Sequence, residues 1–309
     1  MKTIIFCLLT ALVLLTFKTD SSYSIPTIPK YDENYWTLEK MKNAKPLTIR
    51  NRTRSDIKTI KNTTDFSKYT KSTQPFERKY DANGRKVDQD KAIPIGLLFV
   101  SKNDDDFTCT ASVIDTDNGN IGLTAAHCLY DQNTRSYFDN VMFAPGFDNG
   151  QPAPIGKIPI AKMVVTNEFI DDNDDEFDWG MMLFNFNMNG LPLKHFTGAL
   201  AIQFQPGDNI QTTFRGYPNG GNLENCPNNG QVLCTWQGVT TLADDFYVVA
   251  DVNLGEGASG GPLMMNYDPN VNLGTLYSNY ASFDELNDQL LGPIYDQTEF
   301  QELINELTQ

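Results

Sequence analysis

Gly257-Ala258-Ser259-Gly260-Gly261-Pro262 decides how this chain is read. Upstream of it stand Phe177-Asp178-Trp179-Gly180 and, further back, Thr124-Ala125-Ala126-His127-Cys128. A histidine, an aspartate and a serine therefore follow one another in that order, each inside a distinctive local context. Serine is a poor nucleophile until a histidine takes its proton and a carboxylate orients that histidine. The ordered set points to nucleophilic catalysis at Ser259, with His127 as base and Asp178 as the orienting carboxylate.

Other readings of the same residues fail on order. Gly257-Ala258-Ser259-Gly260-Gly261 also fits GxSxG, the nucleophile elbow of α/β hydrolases, but their histidine follows the serine. No histidine follows position 195 here. An Asp-His-Ser order would need His195, which sits in the loop-like Leu191-Pro192-Leu193-Lys194-His195-Phe196 and reads as structural or solvent-exposed.

The chain opens with a short positive start, an apolar run from Ile4 to Phe17, and Ser22-Tyr23-Ser24, the pattern of a signal peptide over 1–24. Lys18 and Asp20 end that run short of the roughly 20 apolar residues of a membrane span. Residues 25–91 carry 16 basic and 9 acidic side chains, a net +7. Residues 92–309 carry 6 basic and 29 acidic, a net −23. So acidic a unit repels phosphates, which argues against nucleic acid or an anionic membrane as partner. The asymmetry suggests that the basic piece sits on the acidic one.

Basic pairs at Arg78-Lys79 and Arg85-Lys86, then Lys91, precede a change to strand-like sequence at Ala92. These features predict a basic propeptide at 25–91 and one catalytic unit at 92–309. Asn51-Arg52-Thr53 and Asn62-Thr63-Thr64 are glycosylation acceptors within the propeptide. Cys7 leaves with the leader, so Cys109, Cys128, Cys226 and Cys234 remain for two disulfides with three possible pairings. No CxxC occurs, so a zinc site is not expected. The acidic run Asp171-Asp172-Asn173-Asp174-Asp175-Glu176 lacks EF-hand spacing and reads as a solvated loop rather than a calcium site.

Within 92–309, short β-branched or apolar runs alternate with Gly, Asn, Asp and Pro, as in Thr110–Ile114, Ile121–Ala125 and Gly180–Phe186. That spacing predicts an antiparallel all-β sandwich or barrel. At the end, Phe300, Leu303, Ile304 and Leu307 fall at i, i+3, i+4 and i+7 and predict one amphipathic helix.

The His127 and Ser259 segments resemble the signature segments of the chymotrypsin/trypsin family, and Phe107–Ile114 resembles its cysteine-bearing strand. Phe177-Asp178-Trp179-Gly180 is closer to the bacterial glutamyl-endopeptidase-like branch. The resemblance implies two antiparallel six-stranded β-barrels with the site between them, followed by the C-terminal helix. It implies a secreted serine endopeptidase, made as a proenzyme, needing no metal or organic cofactor. Its substrates would be proteins or peptides, and its own propeptide its inhibitor. The amides of Gly257 and Ser259 would form the oxyanion hole. Cys109 would pair with Cys128, which leaves Cys226 and Cys234 for each other. A triad-bearing but inactive secreted binding protein, and an esterase on the same scaffold, are the rival readings.

The chain departs from the family in three places. Ala258 stands where trypsin-like zymogens carry the aspartate that pairs with a new N-terminus, so that switch is not expected. Masking of the −23 domain by the +7 segment is expected instead, weakening as salt rises. Asn253 stands where a Lys/Arg-selecting aspartate would be, and Gly274–Tyr280 lacks the histidine of glutamate-selecting relatives. An uncharged residue before the cut follows.

Overall fold

The computed structural model describes residues 25–48, 50–51, 71–75, 92–243 and 245–309. The expected leader, Asn62 and the basic residues from 78 to 91 lie outside the described residues.

Six strands build the first lobe: β1 (Ile95–Lys102), β2 (Asp105–Val113), β3 (Ile121–Thr124), β4 (Asp139–Pro145), β5 (Ile158–Val165) and β6 (Gly180–Phe184). They pair in the order β2-β1-β4-β5-β6-β3, and β3 returns to β2, closing an antiparallel six-stranded barrel. Side chains alternate across a strand. Leu98 and Val100 of β1 accordingly fill the barrel with Val113, Phe143 and Val165. Leu97 and Phe99 face outward, yet they are buried too, beneath Trp36 and Met41 of the N-terminal segment. A strand covered on both faces needs an unbroken apolar run, which Ile95–Val100 supplies.

The second lobe holds β7 (Ala201–Ile202), β8 (Ile210–Gly216), β9 (Cys234–Ala243), β10 (Phe246–Ala250), β11 (Pro262–Asp268), β12 (Leu273–Asn279), β13 (Ser282–Asp284) and β14 (Gln289–Pro293). Its sheet has nine strands rather than six, in the order β7-β12-β11-β8-β9-β10-β14-β13, ending on Arg50–Asn51 from the N-terminal segment. The run from β12 to β14 curls back on itself. Ser278 of β12 donates its hydroxyl to the Pro293 carbonyl of β14 at 2.8 Å, bringing the two ends of that run together.

The C-terminal helix (Gln297–Thr308) begins at Asp296, whose carboxylate accepts the Thr298 and Glu299 amides. Phe300, Leu303 and Leu307 are buried in a cluster with Val164 and Met181 of the first lobe and Met264 and Leu276 of the second. The helix therefore joins the two lobes. No described helix is long and apolar enough to cross a membrane.

Candidate active site

His127 sits on a single 3-10 turn, Ala126–Cys128, just past the end of β3. Small neighbours let that turn sink into the barrel wall: Ala125 and Ala126 are fully buried. Cys128 is bonded to Cys109 of β2, with Cα atoms 6.2 Å apart, which ties the turn to its neighbouring strand. Cys226 and Cys234 form the second disulfide. Asp178 follows another 3-10 turn, Asp175–Phe177, and leads into β6. The next residue, Trp179, is stacked on Phe300 of the C-terminal helix with ring centroids 5.6 Å apart.

These two turns bring the histidine and aspartate together. Asp178 Oδ1 accepts the His127 backbone amide at 2.9 Å, and Oδ2 lies 2.8 Å from His127 Nδ1. A carboxylate only accepts, so the proton of a neutral ring resides on Nδ1 and leaves Nε2 as the acceptor. Asp178 is fully buried and His127 is 7% exposed. The arrangement fixes both the tautomer and the direction of the ring.

Ser259 lies on the loop entering β11, fully buried. Its Oγ and His127 Nε2 are both buried and without a hydrogen-bond partner, so base and nucleophile are not bonded to each other in this state. The loop's shape depends on glycine. Gly257 has φ +76° and Gly260 φ +81°, the left-handed region where a side chain is strained. A Cβ on Gly260 would also collide with Thr124 Oγ1 and the Thr110 carbonyl. Among the described residues, neither the Gly257 nor the Ser259 amide donates to a protein acceptor. Two backbone donors on either side of Ala258 are thus left available.

Several residues that sequence reading missed hold this site in place. Thr110 of β2 donates its hydroxyl to the Gly257 carbonyl at 2.9 Å and accepts the Tyr217 amide at 3.0 Å. Its own amide donates to the Ser259 carbonyl at 2.8 Å. Thr124 donates to the Thr110 carbonyl at 2.7 Å. Behind the aspartate, Tyr295 donates to Asn279 Oδ1 at 2.6 Å, and Asn279 Nδ2 donates to the Asp178 carbonyl at 3.3 Å. Tyr280 brackets the nucleophile loop: its carbonyl accepts the Gly260 amide and its amide donates to Gly261.

The remaining predicted positions lie apart from this constellation. His195 belongs to the short helix Lys194–Thr197 in the connection between lobes. Asn253 spends its side-chain oxygen on the Gly255 amide at 2.8 Å, within its own loop. Asn51 closes the short strand that pairs with β13. One group of three potential metal ligands occurs among the described residues: Cys109, His127 and Cys128. Two of its sulfurs are joined in the disulfide and are not thiolate ligands.

No protein-family model and no curated protein sequence matches the chain. Solved structures do match. A thermostable serine protease from an extremophilic microorganism is 25% identical, with a TM-score of 0.59, covering 71% of this chain and 99% of its own. Protease Anisep from Arthrobacter nicotinovorans is 21% identical, with a TM-score of 0.60, covering 72% of this chain and 98% of its own. A Glu endopeptidase in complex with MPD is 15% identical, with a TM-score of 0.57, covering 77% of this chain and 97% of its own. Its structural neighbours are chymotrypsin-like serine proteases, a glutamyl endopeptidase among them, and this chain shares their fold.

Proposed function

We propose that this protein is a secreted serine endopeptidase, made as a proenzyme, which hydrolyses peptide bonds through an acyl-enzyme on Ser259. The observation that carries the reading is the doubly bonded His127–Asp178 pair, set beside a buried serine on a left-handed glycine turn with two spare amides. Two disulfides and the fold of the protease neighbours support an extracellular setting.

In the reaction Ser259 Oγ attacks the scissile carbonyl carbon while His127 Nε2 takes its proton. The carbonyl oxygen becomes an oxyanion, stabilised by the Gly257 and Ser259 amides. Such donors are each worth about 10²–10³ in turnover. The C–N bond then breaks, and His127 returns its proton to the leaving amine. Water attacks the ester with His127 again accepting a proton, and Ser259 is restored. Asp178 stabilises the imidazolium in both halves without itself being protonated.

The preferred residue before the cut is an uncharged one. Asn253 offers no free charge, and no histidine lies on β12 or at Tyr280. The test is labelling with a fluorophosphonate probe, comparing the processed protein with Ser259→Ala. Covalent label on the wild type alone is the expected result. A folded, fragment-free wild type that takes no label returns the protein to the inactive binding-protein reading.

A further inference from the structure

Part of the predicted propeptide is built into the first lobe. Thr37 caps a short helix, Leu38–Asn43, that turns Met41 inward. Trp36 and Met41 are buried against Leu97, Phe99, Met142 and Phe147 on the outer apolar side of the barrel, and against Tyr217 of the second lobe. Trp36 donates its indole N–H to the Asn140 carbonyl, and Tyr35 donates to Asp106 at 2.7 Å. Lys40 pairs with Asp106 at 3.2 Å. Among the described residues, this part of the basic segment holds on mainly through apolar burial and hydrogen bonds.

Beyond the helix the chain enters the seam between the lobes. Lys45–Pro46 pairs in parallel with Phe107–Thr108, immediately before Cys109. Leu47 donates its amide to the Thr108 carbonyl at 2.9 Å. Pro46 stands over the nucleophile loop: a Cβ placed on Gly257 would lie 3.1 Å from Pro46 Cβ. Arg50–Asn51 then pairs in parallel with Ser282–Phe283 of the second lobe, two residues past Tyr280. Pro46 and Arg50 are thus anchored on opposite lobes, four residue steps apart, a span of at most roughly 14 Å. Ser259, two residues beyond Gly257, has no exposed surface.

We infer that Lys45–Thr48 and Arg50–Asn51, anchored on opposite lobes, act as a strap across the nucleophile loop, and that scission between Asn51 and Ala92 does not by itself open the site. This rests on Ser259 being the nucleophile. The cut piece remains docked as a separate peptide, because removing it would bare Leu97, Phe99, Met142 and Phe147 together. Thr73 adds a further hold, exchanging backbone hydrogen bonds with Ala199 and donating its hydroxyl to Asp115. Activity appears when the docked peptide leaves or is degraded.

The experiment uses the chain with a site-specific protease sequence placed between Lys79 and Lys91. Fluorophosphonate labelling at Ser259 is timed on the intact protein, on the nicked protein, and on nicked protein stripped of the peptide in mild denaturant and returned to buffer. Size-exclusion chromatography follows the peptide at low and high salt. The expected result is slow labelling of both intact and nicked forms, and labelling at least about 100-fold faster once the peptide is gone. The peptide should co-elute at both salt concentrations. Nicked Trp36→Ala should shed the peptide and label fast. Nicked Leu47→Asp, which leaves the Trp36 anchor intact, should label faster with the peptide still bound. Full-rate labelling of nicked wild type with its peptide bound overturns the strap, and release of the peptide on nicking overturns its retention. A folded, stripped protein that never labels removes the nucleophile reading along with the strap, while co-elution still reports on retention.

Discussion

Strand β1 of the first lobe is buried along nearly its whole length on both faces, whereas β9 of the second lobe buries some positions and shows most to solvent. The difference separates the two jobs at the seam. The first lobe holds His127 and Asp178 by hydrogen bonds between two turns at the edge of a closed barrel, and the N-terminal segment covers its outer face. The second lobe presents Ser259 through backbone shape, on glycines whose φ angles other residues rarely take. On the proposed reading, damage to the first lobe should disturb proton transfer or stability, and damage around the serine loop should disturb the amides assigned to the oxyanion.

The largest expected effect sharpens the first half of that contrast. Asp178→Asn keeps the shape of the side chain but offers His127 Nδ1 an amide where a carboxylate was. Turnover should fall about 10⁴-fold with the fold unchanged, measured as kcat on a peptide ester and by circular dichroism. A loss under tenfold would mean that the two hydrogen bonds to His127 do not orient a catalytic base.

Next in size is a pair of tryptophans, one on each side of the contrast. Trp36 is almost fully buried on the first lobe, and Trp236 of β9 is only partly buried. Trp36→Ala in the uncut chain should cost about 3–5 kcal/mol in a denaturant melt, through lost burial and the cavity left behind. Trp236→Ala should cost about 1–2 kcal/mol, since less of its surface leaves water on folding. Equal costs would break the contrast between a side chain buried under the N-terminal cover and one on a largely exposed strand.

A smaller effect tests the serine loop. Thr110→Val removes the hydroxyl that binds the Gly257 carbonyl and the Tyr217 amide, while keeping the volume. Because Thr110 is fully buried and bonded to the loop, it acts as a positioning residue. Its loss should lower kcat by about 10- to 100-fold, with KM changed less than about threefold. Thr110→Ser should recover most of the rate. A change confined to KM would place the threonine in substrate binding instead.

The reach of sequence reading follows the same division between local and distant causes. His127, Asp178 and Ser259 announce themselves through neighbours a few residues away, and the C-terminal helix through its own period, so those were legible. Short apolar runs showed an antiparallel all-β unit, a sandwich or a barrel, and the barrel itself came from the resemblance; Asp139–Pro145 was not read as a strand. Thr110 was not legible, because its partner Gly257 lies 147 residues further along the chain. Asn279 and Tyr295 were hidden for the same reason. Trp36 and Met41 sit among lysines and glutamates at a spacing too sparse to show a period. The nine-stranded second sheet gains two-residue pieces such as β7 and Arg50–Asn51, too short to carry any pattern.

The smallest predicted effect concerns the element that blurs the contrast, the helix joining both lobes. Burial raises the Glu299 carboxyl to about 7, and the charges of Glu168, Asp296 and Glu302 push it the same way. Glu168, on the short helix Asn167–Asp172 of the first lobe, is itself raised by burial. Glu299 lies in the first turn of its helix, where the dipole favours a negative charge, so desolvation outweighs the dipole here. The folded protein holds this proton more tightly than the unfolded chain, whose carboxyl titrates near ~4.3. Its contribution to stability is therefore complete below that pH and is lost as the pH rises through about 7. Above it, a charged Glu299 faces Glu168 with the helix held between the lobes. Glu299→Gln removes the titration, so the variant should melt higher than wild type at pH 8 and lose that advantage near pH 4. A pH-independent difference between the two melts would mean that Glu299 is not the group that loosens the joint.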